Sequence, residues 1–367
     1  MKANLKLGLR QELRPALLGR LRMADWIEMP EREFAHEIEK IEKDPLFRKL
    51  FFGGSNLASA IRRERWPAGR LSSGFYEIND QIVAGGERVK VEEGLESKAG
   101  LAAKIQKMGR EAFERYFVHA EEPLTLQEIA KRTNMSMDDV LAIHDFLLEI
   151  GAQEEFQAPA SASGPAPARG SVCLARLTVE GGEPGFEFFS PHWARGRYQV
   201  RYDLLERFKD GGTLDSEERR HLPHLLKRIE TVNLRQNTLY RIMESLGRLQ
   251  LEFLQNRGDA RKRPISLRQL ARRLDLAPST VSRALSGRSV RLPWDDEIAL
   301  IELLPGRRRV VRRIMADWFS AGAGELTDAA LADRLLKEFG IRVSRRTVNA
   351  VRHEVASRKG KAASASA

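Results

Sequence analysis

One local pattern recurs three times along this chain of 367 residues and limits what it can fold into. In TLQEIAKRTNMSMDDVLAIHDFLL (125–148), Ile129, Ala130, Met135, Val140 and Ile143 take the buried positions of a helix, a tight turn and a second helix. In SLRQLARRLDLAPSTVSRALSGR (266–288) the equivalents are Leu270, Ala271, Leu276, Val281 and Leu285. In LTDAALADRLLKEFGIRVSRRTVNAVRHE (326–354) they are Leu331, Ala332, Ile341, Val348 and Val351, with about six extra residues before the second helix. The small residue, Ala130 or Ala271, stands where two helices cross closely, and a later valine anchors the second helix. The expected fold class is therefore mainly α: a multi-domain helical protein built on helix-turn-helix modules.

The rest of the chain divides by pattern. Residues 1–50 read as an N-terminal helical region, with Leu5, Leu9, Leu13, Leu17 and Leu21 at four-residue spacing and the amphipathic run EFAHEIEKIEK ended by Pro45. Residues 53–100, rich in Gly and Ser, read as a flexible connection. Residues 101–157 are helical again, and 158–171, containing APASASGPAPARG, form a linker because nothing in it can be buried. In 172–222, SVCLARLTV and FEFF flank a Gly-rich turn from Glu180 to Gly185, the pattern of a small β-hairpin. One very long helix is expected from about Pro223 to Gln255, roughly 50 Å at about 1.5 Å per residue. It is either a bundle helix or a spacer that holds a DNA-reading part at a fixed distance. It opens a 223–304 unit with the middle helix-turn-helix. Residues 305–357 form a C-terminal unit, and 358–367 a disordered tail.

Charge gives two of the three modules a partner. Residues 257–367 carry 24 Lys and Arg against 12 Asp and Glu, a net of +12, so the preceding 256 residues sum to −1. A polyanion-binding module concentrates positive charge in this way. In the middle module the second helix opens with Pro278, then Ser279 and Thr280, followed by Ser282 and Arg283 on the solvent side, with Arg288 just beyond. Hydroxyls, N–H groups at a helix start and arginines are what phosphates and base edges require. The third opens with Ser344, Arg345, Arg346 and Thr347, with Asn349 and Arg352 further along. Arginine donates two parallel hydrogen bonds to guanine O6 and N7, worth about 1–3 kcal/mol of discrimination. The first copy carries Asp138 and Asp139 at that place, which repel a phosphate backbone and suit a protein surface. The cluster Arg307, Arg308, Arg309, Arg312 and Arg313 is either a solvated face or a set of phosphate contacts, and its position between two DNA-reading units favours the second.

Other chemistry is weak. Cys173 is the single cysteine, which excludes a disulfide framework and a thiolate-rich zinc site and suits a reducing compartment. The N-terminal leucines are interrupted by Lys2, Lys6, Arg10 and Arg14, and no apolar run spans a bilayer, so no membrane partner and a cytoplasmic location are expected. Neither a G-x-x-x-x-G-K-[ST] loop nor a G-x-G-x-x-G turn is present, and Ser and His residues form no catalytic constellation. His221 and His224 lack a third metal ligand. No enzyme activity and no cofactor or metal are expected, and Trp294 and Trp318 are expected in the core.

With these residues in hand, the chain resembles the sigma-54 family. SRRTVNAVRHE (344–354) is similar to that family's C-terminal signature box, Ala-Arg-Arg-Thr-Val-Ala-Lys-Tyr-Arg-Glu: Arg345, Arg346, Thr347, Val348 and Arg352 match, while Ser344, Asn349, Ala350, Val351 and His353 depart. IETVNLRQNTLYRIMESLGRLQLEFL (229–254) resembles the family's long helix with its Arg-Gln…Thr-Leu pattern, and PISLRQLARRLDLAPSTVSRALSGRSV (264–290) the adjoining helix-turn-helix. LKLGLRQEL (5–13) and EIEKIEKDPLF (37–47) are similar to its first region, whose closing Asn-Pro-Leu-Leu reads Asp44-Pro45-Leu46-Phe47 here. That region is glutamine-rich in the family, yet Gln11 is the only glutamine before Gln81.

The resemblance implies a non-catalytic transcription initiation factor that binds core RNA polymerase, through about 101–151, and promoter DNA. Arg345 and Arg346 would read guanines near −24, and Ser279, Thr280, Ser282 and Arg283 would lie near −12, about one helical turn away. A hexameric ATPase activator would act on the N-terminal region before the DNA melts. Two alternatives stay open. LAPSTVSRALSG also resembles the helix-turn-helix of the LacI family, a stand-alone regulator, although that family places it at the extreme N-terminus. The atypical first region also suits a sigma-54-like factor or antagonist that no longer answers an activator.

Overall fold

The computed structural model describes residues 24–53, 58–73, 75–76, 93–119, 124–152, 171–258, 261–322 and 326–364. The leucine ladder Leu5–Leu21, much of the 53–100 connection, the 158–170 linker sequence and the last three residues lie outside them. In chain order the elements are α1 (Glu31–Glu42), α2 (Pro45–Phe52), β1 (Ile61–Glu64), β2 (Gly69–Leu71), α3 (Glu93–Met108) and α4 (Arg110–Phe113), which runs into a π turn (Glu114–Val118). Next come α5 (Leu126–Thr133), α6 (Met137–Ala152), β3 (Val172–Glu180), β4 (Glu183–Phe188), α7 (Pro191–Ala194), β5 (Arg197–Val200) and α8 (Tyr202–Asp210). The remainder is α9 (Ser216–Leu249), α10 (Leu251–Asn256), α11 (Leu267–Leu274), α12 (Pro278–Leu285), β6 (Arg288–Arg291), β7 (Glu297–Ala299), α13 (Arg307–Ser320), α14 (Asp328–Phe339) and α15 (Arg345–Ser364). The protein is mainly α.

Four elements extend or depart from expectation. The hairpin of β3 and β4 forms around Gly181 and Gly182, both with positive φ, the conformation its tight turn demands. It is the centre of a five-stranded sheet, in the order β2-β4-β3-β6-β7, that also draws strands from residues 69–71 and 288–299. Residues 61–64 and 69–71 are therefore not a flexible connection: β1 pairs antiparallel with β5, and β2 parallel with β4. α15 continues to Ser364, through positions expected in the tail.

The long helix begins seven residues before Pro223. Asp215 caps it by accepting from Glu218 N, while Glu218 accepts from Asp215 N, so a capping box fixes the start upstream and Pro223 rides inside. At 34 residues it spans about 51 Å. It is packed along its length, as neither an isolated spacer nor a helix of one bundle. Leu222, Leu225, Ile229 and Val232 belong to a core with Phe34, Ile38, Phe47, Tyr198 and Phe208. Leu239, Ile242, Met243 and Leu246 join a second core with the sheet, α6 and the middle helix-turn-helix. Gly247 brings α9 onto the hairpin: an added Cβ would meet Pro184 Cβ at 2.9 Å. A third, separate core holds the C-terminal unit together through Val311, Ile314, Leu331, Leu335, Val348 and Val351.

Candidate nucleic-acid interface

The three helical hairpins share their local chemistry. α5 and α11 each open with a capping box, Thr125 with Glu128 and Ser266 with Gln269, and Thr327 caps α14 through its side chain. Each first helix ends on a left-handed residue, Asn134, Asp275 or Gly340, which lets the chain reverse into the second helix. Ile129, Ala130, Val140 and Ile143 are buried in the first module, and Leu270, Ala271, Val281 and Leu285 in the second. In the third, Leu331, Ile341, Val348 and Val351 are buried. Met135, Leu276 and Ala332 are half-buried against these cores.

In the middle module Pro278 is the first residue of α12, where its missing N–H costs nothing. With Val281, Ala284 and Leu285 turned inward, Ser279 and Ser282 are exposed and Thr280 and Arg283 half-buried on the outer side. Arg283 is not idle: its Nε lies 2.9 Å from Glu28 Oε1.

Arg288 does not belong with this face. It is 4% exposed, and its Nε donates to Glu31 Oε1 (2.8 Å), its Nη1 to the Arg283 and Ala284 carbonyls, and its Nη2 to the Ile27 and Met29 carbonyls. Arg288 starts β6, the strand that follows α12 in the chain, and Ile27, Met29 and Glu31 of the N-terminal segment bond its guanidinium. A guanidinium so enclosed is unavailable to DNA.

In the C-terminal unit Ser344 Oγ accepts from Thr347 N (3.2 Å) and bonds Thr347 Oγ1 (2.9 Å), capping α15. Arg345 and Arg346 follow immediately, both exposed and without an ion pair among the described residues. Asn349 and Arg352 also brace the unit: Asn349 Nδ2 donates to Asp328 Oδ2 (3.0 Å), and Arg352 Nη1 sits 3.2 Å from Asp328 Oδ1 while Nη2 donates to the Leu326 carbonyl. They tie α15 to the start of α14.

Sequence reasoning missed the clamp behind these modules. Glu31 is 3% exposed and accepts from Arg235 Nη2 (2.7 Å), Arg288 Nε (2.8 Å) and Trp193 Nε1 (3.1 Å). Burial alone would raise its pKa, but Arg235 and Arg288 outweigh that and hold the carboxyl well below the usual range. Burial in turn pulls Arg235 down to about 10 against the pull of Glu31. Arg235 also lies 3.8 Å over the Phe34 ring. Arg235, Gln236, Thr238 and Leu239, the Arg-Gln…Thr-Leu pattern, are all buried. Their work is internal: Arg235 holds the N-terminal segment against α9, and Gln236 donates to the His192 carbonyl (3.1 Å).

A second buried carboxylate closes the other end of α1. Glu42 accepts from Arg63, from Arg195 Nη1 (2.9 Å) and from Tyr198 OH (2.6 Å), with His144 Nε2 at 3.1 Å. Burial and Arg195 keep His144 below the usual histidine range. Nearby, Asp44 caps α2 by accepting from Leu46 N (2.9 Å), Pro45 is its first residue, and Leu46 and Phe47 enter the core. The Asp-Pro-Leu-Phe motif is thus a helix start.

Asp138 is exposed and Asp139 pairs with Lys104 at 2.6 Å. His221 bonds Asp44 Oδ2 (2.7 Å), and among the described residues no group of three or more His, Cys, Asp or Glu could hold a metal ion. Arg308 pairs with Glu354 and Arg309 with Glu302 (3.6 Å). Trp318 is buried, while Trp294 is half-buried, edge-on to Phe253. No described helix is long and apolar enough to cross a membrane.

Fold and charge together define a helix-turn-helix protein whose basic modules follow a long helix packed on two cores. Residues 217–301, which hold most of that helix and the whole middle module, match the family model described as "Sigma-54, DNA binding domain". The likeness to the sigma-54 family is thus carried by this domain. A solved structure, Aquifex aeolicus sigmaN bound to promoter DNA, is 18% identical with a TM-score of 0.34, over 79% of this chain and 88% of that one. No curated protein sequence matches.

Proposed function

We propose that the protein is a sigma-54-type transcription initiation factor that recruits core RNA polymerase to a promoter with two elements. The observation that carries this is the pairing of the 217–301 match with an exposed reading face on α12 and a second on α15. α12 would lie in the major groove near −12, offering Ser279, Thr280, Ser282 and Arg283. α15 would read the element near −24 with Arg345 and Arg346 as its guanine contacts and Ser344 and Thr347 near the backbone. Asn349 and Arg352 would support that helix through Asp328. Core polymerase would bind the acidic face of α5 and α6. An ATPase activator would act on the N-terminal region, and the burial of Glu31 between Arg235 and Arg288 supports a segment whose release changes the DNA-reading module.

Purified protein should co-migrate with core polymerase on gel filtration at micromolar concentration, and the complex should open a duplex promoter only with activator and ATP. Failure to co-migrate would favour a stand-alone regulator. Opening without ATP would sink activator control.

A further inference from the structure

A strongly basic cleft shares no residue with either reading face. It has a volume of about 490 Å³, and Arg268, Arg272, Ser266, Gln269 and Arg307 line it together with Pro264 and Ile265. It forms where the starts of α11 and α13 meet, pinned by a hydrogen bond from Ile265 N to the Pro305 carbonyl (3.2 Å). Arg268 and Arg272 are four residues apart and share one face of α11. Both are exposed and make no ion pair among the described residues. Arg307 is exposed and donates from Nη1 to the Arg342 carbonyl (3.2 Å), leaving the rest of its five donors. No carboxylate lines the cleft among the described residues.

The local charge is unfavourable for a solvated surface. The N-terminal end of a helix is electropositive and favours acidic residues. Neither α11 nor α13 has an acidic residue in its first turn, and α13 opens with Arg307, Arg308 and Arg309 after an N-cap, Gly306, that offers no side chain. Arg268 and Arg307 stand in the first turns of these two helices and Arg272 one turn further along α11, and positive side chains gathered in one cleft repel one another unless an anion lies between them. α11 is also the first helix of its module, the one that crosses the DNA backbone when the second helix enters the groove.

We propose that this cleft is a sequence-blind DNA site, in which Arg268, Arg272 and Arg307 hold backbone phosphates of the duplex between the two reading elements. The proposal rests on the promoter-binding reading above and adds to it the contact that fixes the spacing of the two modules. A phosphate bridged by both α11 and α13 ties the middle module to the C-terminal one through DNA.

The test uses the full chain and a duplex obtained by selection from random DNA, with affinity measured against salt concentration. Removing one arginine from a phosphate should lower the slope of log affinity against log salt by about 1, so Arg268→Ala, Arg272→Ala and Arg307→Ala together should lower it by about 3. The preference for the selected sequence should stay unchanged. Lysine at the same three positions should restore most of the slope, which a folding defect would not allow. Uncharged methylphosphonates between the two elements should lower the wild-type slope and leave the triple alanine variant unaffected. An unchanged slope in the triple variant, with specific binding intact, would overturn the cleft assignment alone. The same holds if the variant keeps its slope but stops co-migrating with polymerase, which would make the cleft a protein contact. Absence of any selected duplex would overturn the promoter-binding reading and this proposal with it.

Discussion

Replacing Glu31 with alanine probes the clamp that joins the N-terminal segment to the DNA-reading module. Among the described residues its carboxylate is the only counter-charge that touches Arg235 and Arg288, whose side chains are 0% and 4% exposed. Removing one partner of a buried ion pair costs about 3–5 kcal/mol, because the remaining charge is left uncompensated. Here two guanidiniums are stranded, but the carbonyls of Ile27, Met29, Arg283 and Ala284 continue to accept from them, which favours the lower end, about 3 kcal/mol. With a urea dependence of about 2 kcal/mol/M, the midpoint should fall by about 1.5 M. Glu33 stands on the same turn of α1 but is exposed, so Glu33→Ala should cost no more than about 0.5 kcal/mol. Hydrogen exchange would show where the loss falls: amides of Ile38 and Ile41 should lose protection while that of Val348, in a separate core, should not. A loss below about 1 kcal/mol for Glu31→Ala, or one equal to that of Glu33→Ala, would refute the clamp.

Other outcomes follow from the same geometry. His144 and His192 are buried, and burial lowers both below the ordinary 6.5. The unfolded chain therefore binds protons that the folded one does not, and stability should be fully present above pH 6.5 and decline below it. Glu31 and Glu42, also held low, should add a second loss below their ordinary 4.5, and urea titrations from pH 7.5 to 4 would show both steps. Leu331→Ala should cost about 2–5 kcal/mol within the C-terminal core. It should melt that unit in calorimetry and weaken upstream DNA binding while leaving the transition of the 217–301 unit in place.

The helix-turn-helix modules were legible because their determinants are local. Ser266 and Gln269 cap, Asp275 reverses the chain, Pro278 restarts it, and Leu270, Ala271 and Val281 point inward from spacing alone. Arg288 was not legible. Its position, three residues after the second helix of a basic module, reads as one more DNA contact until Glu31, 257 residues away in sequence, closes over it. The bonds of Asn349 and Arg352 were equally hidden, since their partner Asp328 sits across the turn on another helix. The sheet was only half visible. The β3–β4 hairpin advertises its Gly-Gly turn, but the parallel pairing of β3 with β6 joins Val172 to Arg288, and no local pattern encodes a partner that distant. Short strands such as Ile61–Glu64, with two arginines in four residues, carry too little apolar signal to stand out in a Gly- and Ser-rich stretch.

The central claim is that two helices read two DNA elements and that Arg345 and Arg346 carry the upstream reading. Selection of random duplexes by the full chain bound to core polymerase tests it most directly, run in parallel with Arg345→Ala and Arg346→Ala. Wild type should enrich two short elements about one helical turn apart, the upstream one containing guanines. Each variant should lose discrimination at one upstream guanine by about 1–3 kcal/mol and keep the downstream element. Enrichment of one element, or an equal loss of affinity on every sequence in both variants, would contradict the account.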